Sequence, residues 1–300
     1  MKKSTAKRWL VFSTFLCVFQ ACKSTPGAGS ADSRPRDSAA ATAPPTPAAA
    51  TPVAPTLRSP RILKLLEKAK SVSRGPISIF PMPYGAGERQ AYNTQLGGNE
   101  GFEIHAMEAP SSDYADYNDA LLAHELGHVI LISKGFPNGA YRVLKSEGLE
   151  SDRALNVIAR QIGPDCFPDE LIDRESVKQG FHPELLVQRQ MELTEQDLAA
   201  FEIGEMETSS HLSKEFEALK LFCIGKRIPA QSLRDFEGRV EVKYGPTIMA
   251  RERTLSKQFR GKWCRLGDPS GCFELVLKLR DASKLHGYIA FRNPSTGRAE

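Results

Sequence analysis

The chain has 300 residues, 41% hydrophobic and 25% charged, with 40 Lys and Arg against 36 Asp and Glu. This composition argues against collagen-like, wholly disordered and multi-span membrane classes. Four of the cations, Lys2, Lys3, Lys7 and Arg8, lie in the first ten residues and no acid precedes Asp32, so the chain beyond residue 21 carries 36 charges of each sign and has no global attraction to nucleic acid.

In chain order, a basic stretch from Met1 to Arg8 leads into Trp9–Phe19, an apolar run broken only by Ser13 and Thr14. A bilayer span needs about 20 apolar residues, so residues 1–21 read as a signal peptide rather than a membrane helix. The run closes on Phe19-Gln20-Ala21-Cys22, where a small residue before cysteine resembles a bacterial lipoprotein lipobox. That resemblance implies a lipid anchor on Cys22. With Lys23 rather than Asp following, it implies the outer membrane of the cell envelope. Residues 22–59 are a tether: positions 23–60 hold ten Ala and eight Pro, with Val53 and Leu57 as the only large aliphatics. Such a segment buries too little apolar surface to offset its ordering entropy and forms a semi-extended spacer.

The remainder, 60–300, is long enough for one sizeable core. Pro60–Ser73 reads as a helix with Ile62, Leu65, Leu66 and Ala69 on one face. Ile77–Phe80 and Phe102–Met107 read as strands. Asp119 can cap a helix that runs to about Lys134, where Gly135-Phe136-Pro137 stops it. A further helix spans about Ser151–Ile162, residues 168–260 are mostly helical by pattern, and a strand pair around Trp263 and Phe273–Leu279 closes the domain. The fold class is α+β with a mostly helical C-terminal half. Cys166, Cys223, Cys264 and Cys272 form an even set in an exported chain, which points to two disulfides. Three pairings are open; closing the turn-rich loop Cys264–Cys272 would leave Cys166 with Cys223.

The chemistry concentrates in His124-Glu125-Leu126-Gly127-His128. On a helix, histidines four apart project from one face, where two neutral imidazoles can bind one Zn²⁺ at about 2.0–2.1 Å. Glu125 stands beside them as general base for a zinc-activated water. The flanking Leu121, Leu122, Ala123, Val129, Ile130 and Leu131 make this a core helix, where polar side chains are costly without partners. A third ligand is needed, and Glu147, Glu150 and Asp152 are the nearest acids downstream. If that segment is helical, Leu155, Ile158, Ala159 and Ile162 define its buried face. Asp152 then lies about 60° from the centre of that face, Glu147 about 80° and Glu150 about 140°. Glu150 becomes the alternative if the chain is irregular before Ser151. Asn156, one turn beyond Asp152, could accept a hydrogen bond from the other nitrogen of a ligating histidine.

The HExxH pentapeptide followed by an acid-bearing helix resembles the zincin metallopeptidases. Asp152-Arg153-Ala154-Leu155-Asn156-Val157-Ile158-Ala159 is similar to the E-x-x-A-N-x-F-A ligand helix of ImmA/IrrE-type members, with Asp in place of Glu and Leu155 in place of Ala. The resemblance spans about 40 residues. It implies a zincin-like fold, with a small sheet beside the HExxH helix, and puts Asp152 at the acidic ligand and Asn156 beside it. The resulting expectation is an exported, lipid-anchored zinc metallopeptidase acting on protein or peptide substrates. A non-catalytic zincin-like binding or scaffolding lipoprotein and an amidase acting on cell-wall crosslinks are the alternatives. His105, in the strand before the motif, and Tyr141, between the two helices, are weaker candidates for a substrate cleft.

Overall fold

The structure is a computed structural model that describes residues 59–83, 91–95, 101–108, 115–145, 149–199 and 211–300, all within one unit, Ala54–Glu300. The expected signal peptide, the expected tether with Cys22 as far as Arg58, and Glu147 lie outside the described residues. Glu150 has a described backbone, but its side chain is also outside them.

Helix α1, Pro60–Val72, begins where Ser59 Oγ accepts from the Ile62 amide and Pro60 supplies a φ suited to the first turn. Its buried stripe is Ile62, Leu65, Leu66 and Ala69, as the periodicity predicts. Strands β1 (Ile77–Pro83), β2 (Ala91–Gln95) and β3 (Phe102–Glu108) form a sheet in the order β1-β3-β2. β1 runs parallel to β3 and β2 antiparallel to it. Pro81 and Pro83 sit on the outer strand β1, where a missing N–H need not break a central ladder.

Helix α2, Ala115–Ser133, carries the HExxH motif and buries ten residues along its length. It packs against α1, β2 and β3, and its apolar residues form one cluster with those of α1 and β3. Asp119 falls inside α2 rather than at its cap; Asp116 is the acid of the first turn. The helix ends at Gly135, whose φ of 83° lets the chain turn and return the Phe136 amide to Leu131 O.

Strand β4 (Tyr141–Val143) leads to α3, Leu149–Ile162. The predicted buried residues of α3, Leu155, Ile158, Ala159 and Ile162, are all fully buried. Among the described residues, four helices follow: α4 (Phe167–Lys178), α5 (Glu184–Ala199), α6 (His211–Arg227) and α7 (Ala230–Gln258). α7 is two helical pieces joined at Gly245, where φ 73° and ψ 164° precede Pro246. Across that joint Glu241 meets Arg253 at 3.6 Å.

The C-terminal part departs from the sequence expectation. Phe273–Leu279 is not a strand but lies in α8, Pro269–Ala282, capped by Asp268 accepting from the Gly271 amide at 2.8 Å. Phe273, Val276 and Leu279 are buried at a three-residue spacing, which is a helical stripe that local alternation of apolar residues had masked. The closing strand is β5, Ile289–Phe291, which pairs antiparallel with β4. The disulfides join Cys166 to Cys223 and Cys264 to Cys272. The fold is α+β and predominantly helical. Among the described residues, no helix is long and apolar enough to cross a membrane.

Candidate metal centre

Because α2 is helical through the motif, His124 and His128 stand one turn apart, with ring centroids 4.8 Å apart and planes nearly perpendicular. Their Nε2 atoms approach to 3.2 Å. Glu125 is buried beside them, 6% exposed. The acid that meets the two histidines comes from the first turn of α4: Asp169 Oδ1 lies 3.4 Å from His124 Nε2 and 3.1 Å from His128 Nε2.

These three donor atoms form a nearly equilateral triangle with edges of 3.1–3.4 Å. An ion bound tetrahedrally with bonds of about 2.0 Å has ligand–ligand edges of about 3.3 Å, so the triangle matches one face of such a tetrahedron. Asp169 Oδ1 is buried and has no hydrogen-bond partner. A buried carboxylate oxygen in that state is costly unless a cation takes it. Among the described residues, His124, His128 and Asp169 are the one set of three His, Cys, Asp or Glu donors close enough to share a metal ion, and the group could hold one.

Close helix packing makes this meeting possible. α4 packs directly on α2, and Gly127, between the two histidines, faces Ile172 one turn beyond Asp169. A Cβ at position 127 would stand 2.6 Å from Ile172 Cγ2. The glycine of His-Glu-Leu-Gly-His therefore sets how near Asp169 can come.

Behind the triangle lies a charged network. Asp173 Oδ1 is 3.6 Å from His124 Nδ1. Arg227, at the end of α6, donates through Nη1 to Asp169 Oδ2 at 2.9 Å and through Nε to Asp173 Oδ2 at 2.6 Å. Burial alone would lower the His124 pKa, but the charge of Asp169 and the close approach of the Asp169 and Asp173 carboxylates push it up to about 10. Burial alone would raise the Asp169 carboxyl, yet His124 and Arg227 hold it well below the usual carboxylate range. Asp165, just before α4, is pushed up to about 7 by burial and by the charge of Asp169.

The acid that the fold brings to the two histidines is Asp169 rather than Asp152, the acid expected there from the sequence. The phase argument identified the buried face of α3 but not its partner: α3 packs against α6, β4 and α8, whereas α4 packs on α2. Asp152 Oδ1 is buried without a hydrogen-bond partner and is not among the donors grouped with the histidines. Asn156 Nδ2 donates to the Asp152 backbone carbonyl at 2.9 Å, rather than serving a histidine. The missed signal lay in Pro168-Asp169-Glu170-Leu171-Ile172-Asp173. Asp169, Ile172, Asp173 and Ser176 follow the i, i+3, i+4, i+7 rule, so two acids share a buried stripe. His105 stacks on Phe80, with centroids 4.9 Å apart, and sits 3.6 Å from Glu103. Tyr141, on β4, pairs with Phe291 of β5.

Comparisons with protein families, with curated proteins and with solved structures find no match to this chain.

Proposed function

We propose that the chain is an exported zinc-dependent metallopeptidase in which His124, His128 and Asp169 hold the metal and Glu125 is the general base. The observation that carries this reading is the triangle of two imidazole nitrogens and one orphaned carboxylate oxygen, sized for a tetrahedral ion. Two nitrogens and one oxygen suit zinc, and three protein ligands leave the fourth corner open, as hydrolytic zinc sites do. When bound, zinc would supply Lewis acidity and an acidified water.

The chain's own residues do the rest. Glu125 follows His124 directly on α2 and is buried, and in this reading its carboxylate takes a proton from the attacking water and returns it to the leaving amine. Direct attack of water needs no covalent intermediate. The apolar helices around the motif exclude bulk water and strengthen these charges. The zincin-like arrangement, a small sheet beside the HExxH helix, and the lipid anchor on Cys22 belong to this same proposal.

Metal analysis of the purified chain should find close to one zinc, bound with loss of affinity on His124→Ala. Digestion of an unbiased peptide library should show cleavage by the wild type and none by Glu125→Gln with its zinc retained. Stoichiometric zinc with no cleavage of peptides by the wild type would favour a binding lipoprotein, or an amidase if cell-wall crosslinks are cleaved instead. Absence of zinc after reloading would end the proposal.

A further inference from the structure

We propose that Arg227 is a positioning residue that keeps Asp169 a one-oxygen ligand and so holds the fourth corner of the metal site open. This inference rests on the reading of Asp169 as a ligand.

The two oxygens of Asp169 are divided between two different neighbours. Oδ2 accepts from Arg227 Nη1 at 2.9 Å. Oδ1 faces the His124 and His128 Nε2 atoms at 3.4 and 3.1 Å and has no hydrogen bond. The guanidinium is held from turning away by two further bonds to Asp173: Nε to Oδ2 at 2.6 Å and Nη2 to Oδ1 at 3.2 Å. A guanidinium is planar, with its donors at fixed angles, so two bonds to Asp173 set the direction of the third toward Asp169. Asp169 and Asp173 are four apart on α4 and share a face, which lets one arginine reach both. Arg227 is itself 7% exposed, so little solvent competes for its donors.

A carboxylate without such a partner can offer both oxygens to a cation. In this site the second oxygen would occupy the corner that catalytic zinc sites leave for water or substrate. Arg227 prevents this by claiming Oδ2. A lysine cannot do the same, because its ammonium is a single point charge without a fork to orient it.

Cobalt(II) in place of zinc tests the assignment, since its visible bands are intense in four-coordinate sites and weaker in five-coordinate ones. The wild-type chain should give the four-coordinate spectrum. Arg227→Met and Arg227→Lys should still bind cobalt but give the five-coordinate spectrum, with an added oxygen neighbour by X-ray absorption. Arg227→Met combined with Asp173→Asn removes one charge of each sign and covers loss of fold in the single variant; it should give the same five-coordinate result. Variants that bind cobalt more weakly with an unchanged four-coordinate spectrum would reduce Arg227 to a structural ion pair and overturn the proposal. A wild-type spectrum retained by Arg227→Lys would overturn the role of the fork. A wild-type chain that takes up neither cobalt nor zinc would instead remove Asp169 as a ligand, and the proposal with it.

Discussion

His124 lies between two carboxylates, Asp169 and Asp173, and its high proton affinity in the metal-free fold has a sign that can be worked out. Its folded pKa of about 10 exceeds the ordinary 6.5, so the bound proton stabilises the metal-free fold below pH 6.5. That contribution is lost as pH rises through about 10. A metal ion must displace the same proton. Apparent zinc affinity, measured by chelator competition, should therefore rise by about tenfold per pH unit across the neutral range. A flat profile above pH 7 would show that His124 is already neutral there. The ligand assignment gives a second expectation at this scale. Asp169→Asn should lower zinc affinity by more than the 10–100-fold typical of groups that only orient ligands, while Asp152→Asn should change it little. The same competition titration reads both variants, and the reverse order would restore Asp152.

Among the elements, α2 and α4 are coupled through one absent methyl group. Gly127→Ala gains about 1 kcal/mol of helix propensity. Against this, the new Cβ meets Ile172 Cγ2 at 2.6 Å and must force α4 outward or strain the side chain. Overpacking of this kind costs about 1–3 kcal/mol, so thermal melting should show net destabilisation, together with weaker zinc binding as Asp169 retreats. Ile172→Ala in the same chain should relieve the clash, making the double variant more stable than the sum of the two singles. This contact also shows what the sequence could and could not reveal. The stripes of α1 and α3 and the histidine pair of α2 are set by spacing within one helix, and each is legible locally. Which acid meets the histidines depends on which of two acid-bearing helices docks on α2, and that is decided by small side chains at an interface between segments about 40 residues apart. The spacing of Ile158 and Ala159 marks them as buried, yet nothing in it says whether α2 or α6 covers them. Likewise, Phe273–Leu279 alternates well enough to pass for a strand until Asp268 and Pro269 are seen to start a helix.

For the molecule as a whole, the two disulfides have unequal tasks. Cys264–Cys272 closes a separation of 8 residues, whereas Cys166–Cys223 closes 57 and ties the start of α4 to α6. Chain-entropy arithmetic gives about 2.5 kcal/mol for the short closure and about 4 kcal/mol for the long one. Replacing Cys166 and Cys223 together by Ala should therefore lower stability more than replacing the other pair, as denaturant unfolding would show. It should also weaken zinc binding, because Cys166 lies three residues before Asp169, and Cys223 lies one helical turn before Arg227. Both cysteines are almost fully buried, so the bond must form while the domain folds. In a reducing cytoplasm the newly made chain would have its histidines on α2 but lack the brace that sets the carboxylate and the arginine opposite them. On the proposed reading, the cell thus makes a hydrolase that stays unarmed among its own cytoplasmic proteins and acquires its metal after crossing into an oxidising space.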